Sequence, residues 1–490
     1  MEKEMTVTGF EGKKVLIFGL KRSGAASALA LHSLGAKVAV TDMKTKESGE
    51  LAEELSRLPE GIGLFLGGHP QEALEGVDLV VVSPGVPMNI PALTLAARSG
   101  IEIISELELG FRLFKAADPL TDFYAITGTN GKSTTTALLH YILERSGRRA
   151  LLAGNIGYAL SGLFPGNLFP GASPEAAGRE GSFPVVVEVS NFQLEGIRDF
   201  KPRISAILNL APDHLDRYKD VSAYYEAKMK IFERQDDGDY LVLNAGDPNT
   251  QIISGKLQKA GSDTKAMPKV VWFGNGEDKT TKIFGLYSMR GSVYVNLPGM
   301  DIELIKAGDI RIKGAHNLEN AMAAGAMALL AGVPAEAVRT ALMEFPGLPH
   351  RMEFVRELDG VSYINDSKGT NPPAVLRSLE SFSGQKKENS IILIAGGRDK
   401  NGDFQSLRNQ VERSVKLLVL IGEASGKIAA ALQGAAPMEY AMDLAEALRI
   451  SKAAARPGDV VLLSPACASF DMFRDFEDRG DRFREEARRL

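Results

Sequence analysis

Short apolar runs rich in valine, isoleucine and leucine recur along the whole chain, and most of them precede a glycine, asparagine or aspartate turn and a helical pattern. This alternation is typical of βα units, whose parallel strands are buried on both faces. The runs form three series: KVLIFG, KVAVTD and DLVVVSPG; then YAITGTNG, VVVEVS, ISAILNL and YLVLNA; then VSYINDS, IILIAGG, LLVLIG and VVLLSPA. The sequence therefore predicts an α/β fold with three domains.

The length of the chain, 490 residues, is also too great for a single hydrophobic core. We place the domains at residues 1–118, 119–345 and 346–490. Between about Val270 and Ile312 the pattern changes to alternating residues such as SVYVNL, which predicts a small antiparallel excursion before a helix that begins near Asn317. The stretch from Pro165 to Pro184 is rich in glycine, proline and serine and is predicted to be a surface loop.

Composition narrows the class of partner. A net charge of -5 and a pI near 5.9 favour a small-molecule substrate over nucleic acid or an anionic membrane. The single cysteine, Cys467, excludes an intramolecular disulfide and argues against a zinc site. Because the N-terminus has no apolar leader and no run of eighteen apolar residues occurs, we expect a cytoplasmic protein without membrane insertion.

The segment DFYAITGTNGKSTTTALLHYILERSG is typical of a strand, a glycine loop and a helix that binds phosphate. Gly128 and Gly131 would let backbone N–H groups approach an anion, Lys132 would supply a point charge, and the Ser133 hydroxyl would reach Mg²⁺. Gly147 is placed to end the helix. Nucleotide triphosphate binding is the function that this segment predicts.

The loop is a shorter variant of the general phosphate-binding pattern, because Ile126 stands where the first glycine is expected. The alternative is a polar strand-to-helix turn without a ligand. Its position after an apolar strand and before a helix favours the phosphate-binding interpretation.

Candidate metal ligands follow the next two strands. Glu188 interrupts the apolar run VVVEVS, so it is either a metal ligand or an acid at an exposed strand end. Asp213, His214 and Asp216 follow ISAILNL, where the carboxyl edge of the sheet is expected. Lys228 stands in the helix YYEAKMKIFERQ and, by pattern alone, is expected to be solvated.

The first series begins like a nucleotide-binding βαβ unit, with Asp42 about twenty residues after the glycine turn. Gly19 and Gly24 are present, but Lys21 occupies the position where a dinucleotide-binding turn needs glycine. A nicotinamide-dependent dehydrogenase is therefore disfavoured, while a nucleotide diphosphate at the helix N-terminus remains compatible. The turn Ser83–Pro87 could line the same crevice.

Several motifs in order across the chain resemble the Mur ligase family, and most closely its members that add D-glutamate: TGTNGKST, GNIG, EVSNFQLE, DHLDRY, HNLEN, GLPHR, NDSKGTN and SPACASFD. The resemblance implies a Rossmann-like N-terminal domain that binds a UDP substrate, a central P-loop ATPase-type domain with a parallel sheet, and a Rossmann-like C-terminal domain that receives the amino acid. It also implies an ATP-dependent ligase of peptidoglycan precursor synthesis.

The resemblance to the D-glutamate-adding members implies that the terminal carboxylate of UDP-N-acetylmuramoyl-L-alanine attacks the γ-phosphate of ATP, and that D-glutamate then attacks the acyl phosphate. Phosphorylation turns a poor acyl donor into a good one, so no protein nucleophile is needed. The resemblance implies two Mg²⁺ ions and N-carboxylation of Lys228, because a carbamate can ligate Mg²⁺ and an ammonium cannot. We expect a monomer whose partners are these small molecules.

The resemblance assigns roles residue by residue. The catalytic residues would be Lys132, Glu188, His214, Lys228 and Lys368. The metal ligands would be Ser133, Glu188, His214 and Lys228 as a carbamate. The ATP contacts would be Gly128, Thr129, Asn130, Gly131, Lys132, Ser133, Thr134, Asn317, Asn320, Arg351 and Asp366. The UDP-substrate contacts would be Lys21, Arg22, Ser23, Asp42, Ser83, Gly85 and Asn155. The D-glutamate contacts would be Thr370, Lys400, Ser469, Phe470 and Phe476.

Some alternatives remain open. Phe470 and Phe476 could be ordinary packing residues, and Cys467 is interpreted as a small packed residue because no base stands beside it. Another amino acid could be the acceptor. A P-loop NTPase that drives a conformational change is the alternative from a different class, and a nicotinamide-dependent oxidoreductase is the weakest.

Overall fold

The structure, a computed structural model, describes residues 9–164, 183–212, 217–260, 266–276, 284–382, 389–399 and 402–490. These residues form two compact units. The first comprises Met1–Ile310 and Leu318–Glu344, and the second comprises Arg311–Asn317 and Phe345–Leu490. Residues 165–182 of the predicted surface loop lie outside the described residues, as do Asp213, His214, Asp216 and Lys400.

The first series of βα units builds a parallel sheet. Its elements are β1 Lys14–Phe18, α1 Arg22–Ser33, β2 Lys37–Asp42, α2 Ala52–Arg57, β3 Gly63–Leu66, β4 Leu79–Val82, α3 Pro91–Arg98, β5 Glu102–Ser105 and α4 Glu106–Ala117. Within residues 9–118 the strand order is β3-β2-β1-β4-β5, and every pair is parallel. The strands β1 and β4 are buried because helices cover both faces, which explains their continuous apolar sequence.

The helix α4 belongs to two hydrophobic cores. Leu109 and Leu113 pack with the strands of the first sheet. Leu107, Phe111 and Phe114 pack with the strands of the second sheet. The helix therefore joins the first two sheets within one compact unit.

The second series builds a larger sheet. Its elements are β6 Phe123–Thr127, α5 Lys132–Arg145, β7 Leu151–Gly154, β8 Val185–Glu188, α6 Asn191–Leu194, β9 Ile204–Ile207, α7 Val221–Met229, β10 Tyr240–Asn244, α8 Pro248–Ala260, β11 Lys269–Asn275, β12 Gly285–Met289, β13 Ser292–Leu297, β14 Met300–Lys306, α9 Ala315–Leu330 and α10 Ala335–Glu344. In the described part of this region the order is β14-β13-β12-β11-β10-β9-β6-β8-β7.

The strand β6 lies between β8 and β9 and is parallel to both. The strands that follow β6 in the chain are therefore placed on both sides of it. In such sheets, ligands bind in the crevice outside the carboxyl ends of the strands at this point. The predicted antiparallel excursion is confirmed, since β13 is antiparallel to β12 and β14, and α9 begins close to the predicted Asn317.

The second unit contains the third sheet. Its elements are β15 Glu353–Leu358, β16 Val361–Asn365, α11 Pro372–Glu380, β17 Ile391–Gly396, α12 Arg408–Ser414, β18 Val415–Ile421, α13 Ser425–Ala431, β19 Met438–Tyr440, α14 Leu444–Ala454, β20 Val460–Leu463 and α15 Phe476–Arg489. The order among its described strands is β15-β16-β20-β17-β18-β19, with only β15 antiparallel to its neighbour.

Three sheets with helices between their strands confirm the predicted α/β class and its Rossmann-like first and third parts. The exact divisions after residues 118 and 345 stay predictions. Among the helices that the structure describes, none is both long and apolar enough for a bilayer crossing.

Candidate active site

The predicted phosphate loop connects β6 to α5 at the carboxyl edge of the second sheet. Gly128 has φ +152° and Gly131 has φ +79°, so both adopt backbone conformations that side chains disfavour. A Cβ at Gly131 would lie 2.2 Å from Asn320 Oδ1. The glycines are therefore required for the path of the loop, which leaves the first N–H groups of α5 at the crevice.

Two lysines converge on this loop. Lys132 Nζ donates to the carbonyls of Gly128 and Thr129, each at 2.9 Å. Lys228 Nζ donates to the same Gly128 carbonyl at 3.0 Å. Two ammonium groups at one oxygen make this point of the crevice strongly positive, which favours a bound anion.

Lys228 is 1% exposed, so the expectation of a solvated lysine, based on the helix pattern alone, is wrong. Its ammonium lies 4.7 Å from the centroid of the buried Tyr224 ring and reaches back to the phosphate loop. The helix α7 buries Tyr224, Ala227 and Lys228, and the last of these reaches the phosphate loop, which the sequence pattern did not reveal.

Glu188 ends β8, the strand next to β6, and is 1% exposed. The alternative of an acid at an exposed strand end is therefore wrong. Asn155 Nδ2 donates to Glu188 Oε1 at 2.8 Å, while Oε2 is buried and has no hydrogen-bond partner among the described residues. A buried carboxylate oxygen without a donor is costly unless a cation neutralises it, so Glu188 fits a Mg²⁺ ligand.

The loop after β9 completes this edge with a residue that the sequence analysis missed. Asn209 Oδ1 accepts the Asn130 N–H at 2.8 Å, and Asn209 Nδ2 donates to the Asn130 carbonyl at 3.2 Å. The Thr129 hydroxyl donates to the Ala211 carbonyl at 3.1 Å. The phosphate loop is thus fixed to the segment that leads to His214, which lies outside the described residues.

In the described part of the chain, no three histidine, cysteine, aspartate or glutamate side chains converge as a metal site would require. Within the described part of the chain, a site at Glu188 would therefore need other oxygen ligands. Ser133 stands in the first turn of α5 and Thr134 follows it. A hydroxyl, phosphate oxygens and water are ligands that Mg²⁺ accepts.

Of the two predicted asparagines in HNLEN, Asn320 is at the phosphate loop. Its Oδ1 accepts the Thr135 hydroxyl at 3.2 Å, so it connects α9 to α5. Asn317 belongs to the second unit, where its side chain donates to the Lys313 carbonyl at 2.8 Å.

The two turns predicted to bind the UDP substrate are in contact. The Ser83 hydroxyl donates to the Gly19 carbonyl at 2.8 Å, and a Cβ at Gly19 would lie 2.9 Å from Val86 Cγ2. Asp42 accepts the Leu20 N–H at 2.6 Å and the Lys44 N–H at 2.9 Å, one at each carboxylate oxygen. The carboxylate therefore fixes the turn.

Arg22, at the start of α1, links this crevice to the GNIG motif. Its guanidinium donates to the carbonyls of Gly157 at 2.9 Å and Gly154 at 3.1 Å, on either side of Asn155. Lys21 turns away, donates to the Glu50 carbonyl and lies 3.8 Å from Glu54. The remaining predicted contacts on these two turns are Ser23, in the first turn of α1, and Gly85, which is exposed.

In the second unit, Asp366 follows β16 and is buried. The hydroxyls of Ser378 and Ser464 donate to its Oδ2 at 2.6 and 2.7 Å. Burial raises the pKa of this carboxyl to about 6, although these hydrogen bonds and the charge of Arg351 act in the opposite direction. The carboxyl is thus held by two hydroxyls that the sequence analysis did not single out.

Among the described residues predicted to bind D-glutamate, Thr370 lies in the loop after β16, Ser469 and Phe470 lie in the loop after β20, and Phe476 begins α15. Lys368 Nζ lies 3.6 Å from the centroid of the Phe476 ring. The Ala466 N–H donates to the Gly369 carbonyl at 2.8 Å, so the loops are joined next to Thr370. Phe470 is 58% exposed, and the alternative that it is a packing residue is wrong. Ser469 is buried.

Arg479 on α15 is a functional candidate that the sequence analysis missed. It is fully buried and donates to the carbonyls of Ser367 and Cys467 as well as to the Ser367 hydroxyl. Arg479 therefore connects the loop after β16 to the loop after β20. Burial lowers the pKa of this guanidinium to about 10 and raises that of the Cys467 thiol to about 12, which agrees with a packed, unreactive cysteine.

Three family models match the chain in order. They describe a Mur ligase MurD-like N-terminal domain at residues 13–105, a Mur ligase middle domain at 126–328 and a Mur ligase glutamate ligase domain at 350–467.

Curated relatives match over nearly the whole length. The UDP-N-acetylmuramoylalanine–D-glutamate ligase of Geotalea uraniireducens is 43% identical over 479 residues, which cover 98% of each chain. The ligase of the same name from Thermoanaerobacter pseudethanolicus is 42% identical over 97% of this chain and 98% of its own. The ligase of the same name from Clostridioides difficile is 38% identical over 98% of this chain and 99% of its own.

Solved structures share the fold at lower identity. MurF of Acinetobacter baumannii has a TM-score of 0.58 and 18% identity, covering 96% of this chain and 93% of its own. The UDP-N-acetylmuramate-alanine ligase MurC of Thermotoga maritima has a TM-score of 0.53 and 20% identity, covering 97% and 99%.

Proposed function

Because this chain belongs to the Mur ligase family, we propose that it joins D-glutamate to UDP-N-acetylmuramoyl-L-alanine at the expense of ATP. The reaction is an amide-bond formation in peptidoglycan precursor synthesis. The observation that carries the proposal is the pairing of a phosphate loop with a buried, partly unpartnered Glu188 on the neighbouring strand, in a chain 43% identical to such a ligase over 98% of its length.

In this proposal the phosphates of ATP lie at the loop before α5. The N–H groups of Gly131 to Thr134 donate to them, and Lys132 neutralises the charge that develops as the γ-phosphoryl group is transferred. Asn320 and Asn209 hold the loop in place. Asn317, Arg351 and Asp366 would contact adenine, ribose or phosphate.

We further propose two Mg²⁺ ions, which would supply charge neutralisation at the phosphate oxygens. Ser133 and Glu188 would hold the first, and His214 with Lys228 as a carbamate would hold the second. The shared Gly128 carbonyl supports this, since conversion of Lys228 to a carbamate removes the repulsion between two ammonium groups.

The substrate carboxylate would attack the γ-phosphate to form an acyl phosphate and ADP. The D-glutamate amine would then attack the acyl carbon, and phosphate would leave.

The residues proposed to bind the UDP substrate are Lys21, Arg22, Ser23, Asp42, Ser83, Gly85 and Asn155. Those proposed to bind D-glutamate are Lys368, Thr370, Lys400, Ser469, Phe470 and Phe476.

We propose that the enzyme acts in the cytoplasm, where ATP is supplied, and as a monomer.

The decisive experiment is phosphate release from ATP with Mg²⁺ and UDP-N-acetylmuramoyl-L-alanine, with D-glutamate, L-glutamate, L-alanine, L-lysine or no amino acid. Release only with D-glutamate, together with a product heavier by one glutamate residue, is the expected result. Release with another amino acid would assign a different step of the pathway. Release that is indifferent to both co-substrates would favour the NTPase alternative.

A further inference from the structure

Arg217, which follows the DHLD segment, is hydrogen-bonded to the Ser83–Pro87 turn of the first sheet. Two of its N–H groups donate to the carbonyl of Pro84 at 3.3 Å and to that of Val86 at 3.2 Å. The guanidinium thus holds the two carbonyls on either side of Gly85. A guanidinium presents its donors in a planar, rigid fork that suits such a pair, whereas an ammonium has three donors on one atom at the end of a flexible stem.

The position of Arg217 is itself fixed from the second sheet. The central carbon of the guanidinium lies 3.9 Å from the centroid of the Phe192 ring, and one nitrogen lies 3.4 Å from Glu195 Oε2. The Tyr218 hydroxyl donates to the other oxygen of Glu195 and accepts from Asn191 Nδ2 at 2.7 Å. The ring and the carboxylate, both on or next to α6, therefore leave the guanidinium little freedom.

This contact determines how the turn presents its N–H groups. In a trans peptide the C=O and N–H point in opposite directions, so with the Pro84 carbonyl held by Arg217 the Gly85 N–H points away from the guanidinium. The Val86 N–H donates to the Ser83 carbonyl at 3.0 Å and closes the turn. Gly85 is exposed, and its N–H has no acceptor among the described residues. It is a donor available to a ligand.

The same turn contacts the other predicted nucleotide-binding turn through the Ser83 hydroxyl and the Gly19 carbonyl. Backbone N–H groups at such turns are suited to phosphate oxygens. A carbonyl that accepts from a guanidinium also polarises the N–H of its own peptide group, which strengthens that donor.

We propose that Arg217 is a positioning residue for the diphosphate of the nucleotide-linked substrate. It acts through the Ser83–Pro87 turn, whose Gly85 N–H it orients, and it does not contact the reacting atoms. Because Arg217 is three residues from His214, one side chain links the nucleotide turn to the segment proposed for the second Mg²⁺. The inference rests on the proposed function, since it takes the UDP substrate to bind at this turn.

The test compares Arg217→Lys with Lys219→Ala. Lysine keeps the charge but loses the planar fork. Lys219 is a matched control, because it is a neighbouring cation with an 82% exposed side chain and an ion pair to the adjacent Asp220, at 3.9 Å. Calorimetry without ATP gives the Kd for UDP-N-acetylmuramoyl-L-alanine, and steady-state kinetics gives the three KM values.

For Arg217→Lys we expect the Kd and KM for the nucleotide-linked substrate to rise about tenfold, while the KM values for ATP and D-glutamate change less than about twofold. Lys219→Ala should match the wild type. Phe192→Leu, which removes the ring beneath the guanidinium but leaves its donors, should give a smaller rise of about threefold in the same two constants. This variant also serves if Arg217→Lys does not fold.

A folded Arg217→Lys with the wild-type Kd would overturn the inference. A fall in kcat with all KM values unchanged would overturn it as well, because the residue would then act on the chemical step. An equal rise in all three KM values would indicate a general structural role and also overturn it. The proposed function fails separately, if the wild-type protein itself neither binds nor requires the nucleotide-linked substrate.

Discussion

Glu188 and Glu106 are both buried glutamates in which one carboxylate oxygen lacks a hydrogen-bond partner among the described residues. Leaving such an atom without a donor costs about 1 to 3 kcal/mol. Glu188 ends a strand at the carboxyl edge of the second sheet, whereas Glu106 begins α4 and is hydrogen-bonded to Ser161. The two carboxylates are therefore similar in burial but differ in position: Glu188 faces the proposed ATP site, and Glu106 lies on the helix between the first two sheets.

The substitution Glu188→Gln should separate stability from activity. The amide keeps the shape and the contact with Asn155 but loses the charge that a cation requires, so the ligase rate should fall at least about 100-fold. The free energy of unfolding without ligands should stay within about 1 kcal/mol of the wild type or increase. Phosphate release, Mn²⁺ binding by electron paramagnetic resonance and thermal unfolding provide the measurements.

Glu106→Gln is the matched control for this experiment, since it alters an equivalent buried carboxylate away from the phosphate loop. It should retain the ligase rate within about twofold. Wild-type Mn²⁺ affinity and activity in Glu188→Gln would contradict the proposed role of Glu188 as a metal ligand.

At the level of elements, α5 is flanked at both ends by a glycine with a left-handed backbone. Gly131 precedes it at φ +79°, and Gly147 follows it at φ +81°. The Gly147 N–H donates to the Glu144 carbonyl and the Arg148 N–H to that of Leu143, so the predicted helix end is confirmed. The difference lies in the surroundings: a Cβ at Gly131 would lie 2.2 Å from Asn320 Oδ1, whereas one at Gly147 would meet nothing within 4 Å.

This pair of glycines allows strain and collision to be distinguished. Both Gly131→Ala and Gly147→Ala should lose about 1 kcal/mol of stability from backbone strain. Only Gly131→Ala should also displace the phosphate loop, and its Kd for an ATP analogue should rise at least about tenfold. Thermal unfolding and calorimetric titration measure the two effects. Equal nucleotide affinity in both variants would contradict the proposed placement of the phosphates.

At the level of the molecule, the first two sheets share α4, and two glutamates on this helix join them. Glu108 accepts the N–H groups of Arg198, Asp199 and Phe200 and is paired with Arg112 at 2.8 Å. Glu106 accepts the N–H and the hydroxyl of Ser161 at one oxygen, and burial raises the pKa of this carboxyl. The hydrogen bonds and the ion pair of Glu108 therefore compensate for its burial, whereas one oxygen of Glu106 has no hydrogen-bond partner among the described residues.

The substitutions Glu106→Gln and Glu108→Gln should have opposite effects on the stability of the fold. A raised pKa means that folded Glu106 binds its proton more tightly than the unfolded chain, so its contribution to stability is fully present at low pH and is lost as the pH rises through that pKa. Glu106→Gln should therefore become more stable than the wild type as the pH increases from 5 to 8. Glu108→Gln should lose about 2 to 3 kcal/mol at pH 8, since it weakens charge-assisted hydrogen bonds in a buried site.

Calorimetric melting of the wild type and both variants at pH 5 and pH 8 makes this comparison. A stability difference between Glu106→Gln and the wild type that does not change with pH would contradict the assignment. A gain of stability in Glu108→Gln would show that its desolvation outweighs its hydrogen bonds.

The sequence by itself determined the α/β class, the phosphate loop, the end of α5 and the antiparallel excursion at β12 to β14. These features are local, because the side-chain period of a strand and the conformational freedom of a glycine depend on a few neighbouring residues. The family motifs are local in the same sense, and the resemblance that they carry predicts Lys132, Glu188 and Lys228 in one site, which stays a prediction.

Only the tertiary structure decided which of these groups are buried and what holds them. Lys228 lies on a helix whose pattern suggested solvent, and its burial depends on Tyr224 and on a phosphate loop 100 residues earlier in the chain. Arg217 and Arg479 stand in charged stretches and become structural only through carbonyls from distant segments. The environment of a polar side chain is set by what packs against it, and that information is not contained in its own stretch of sequence.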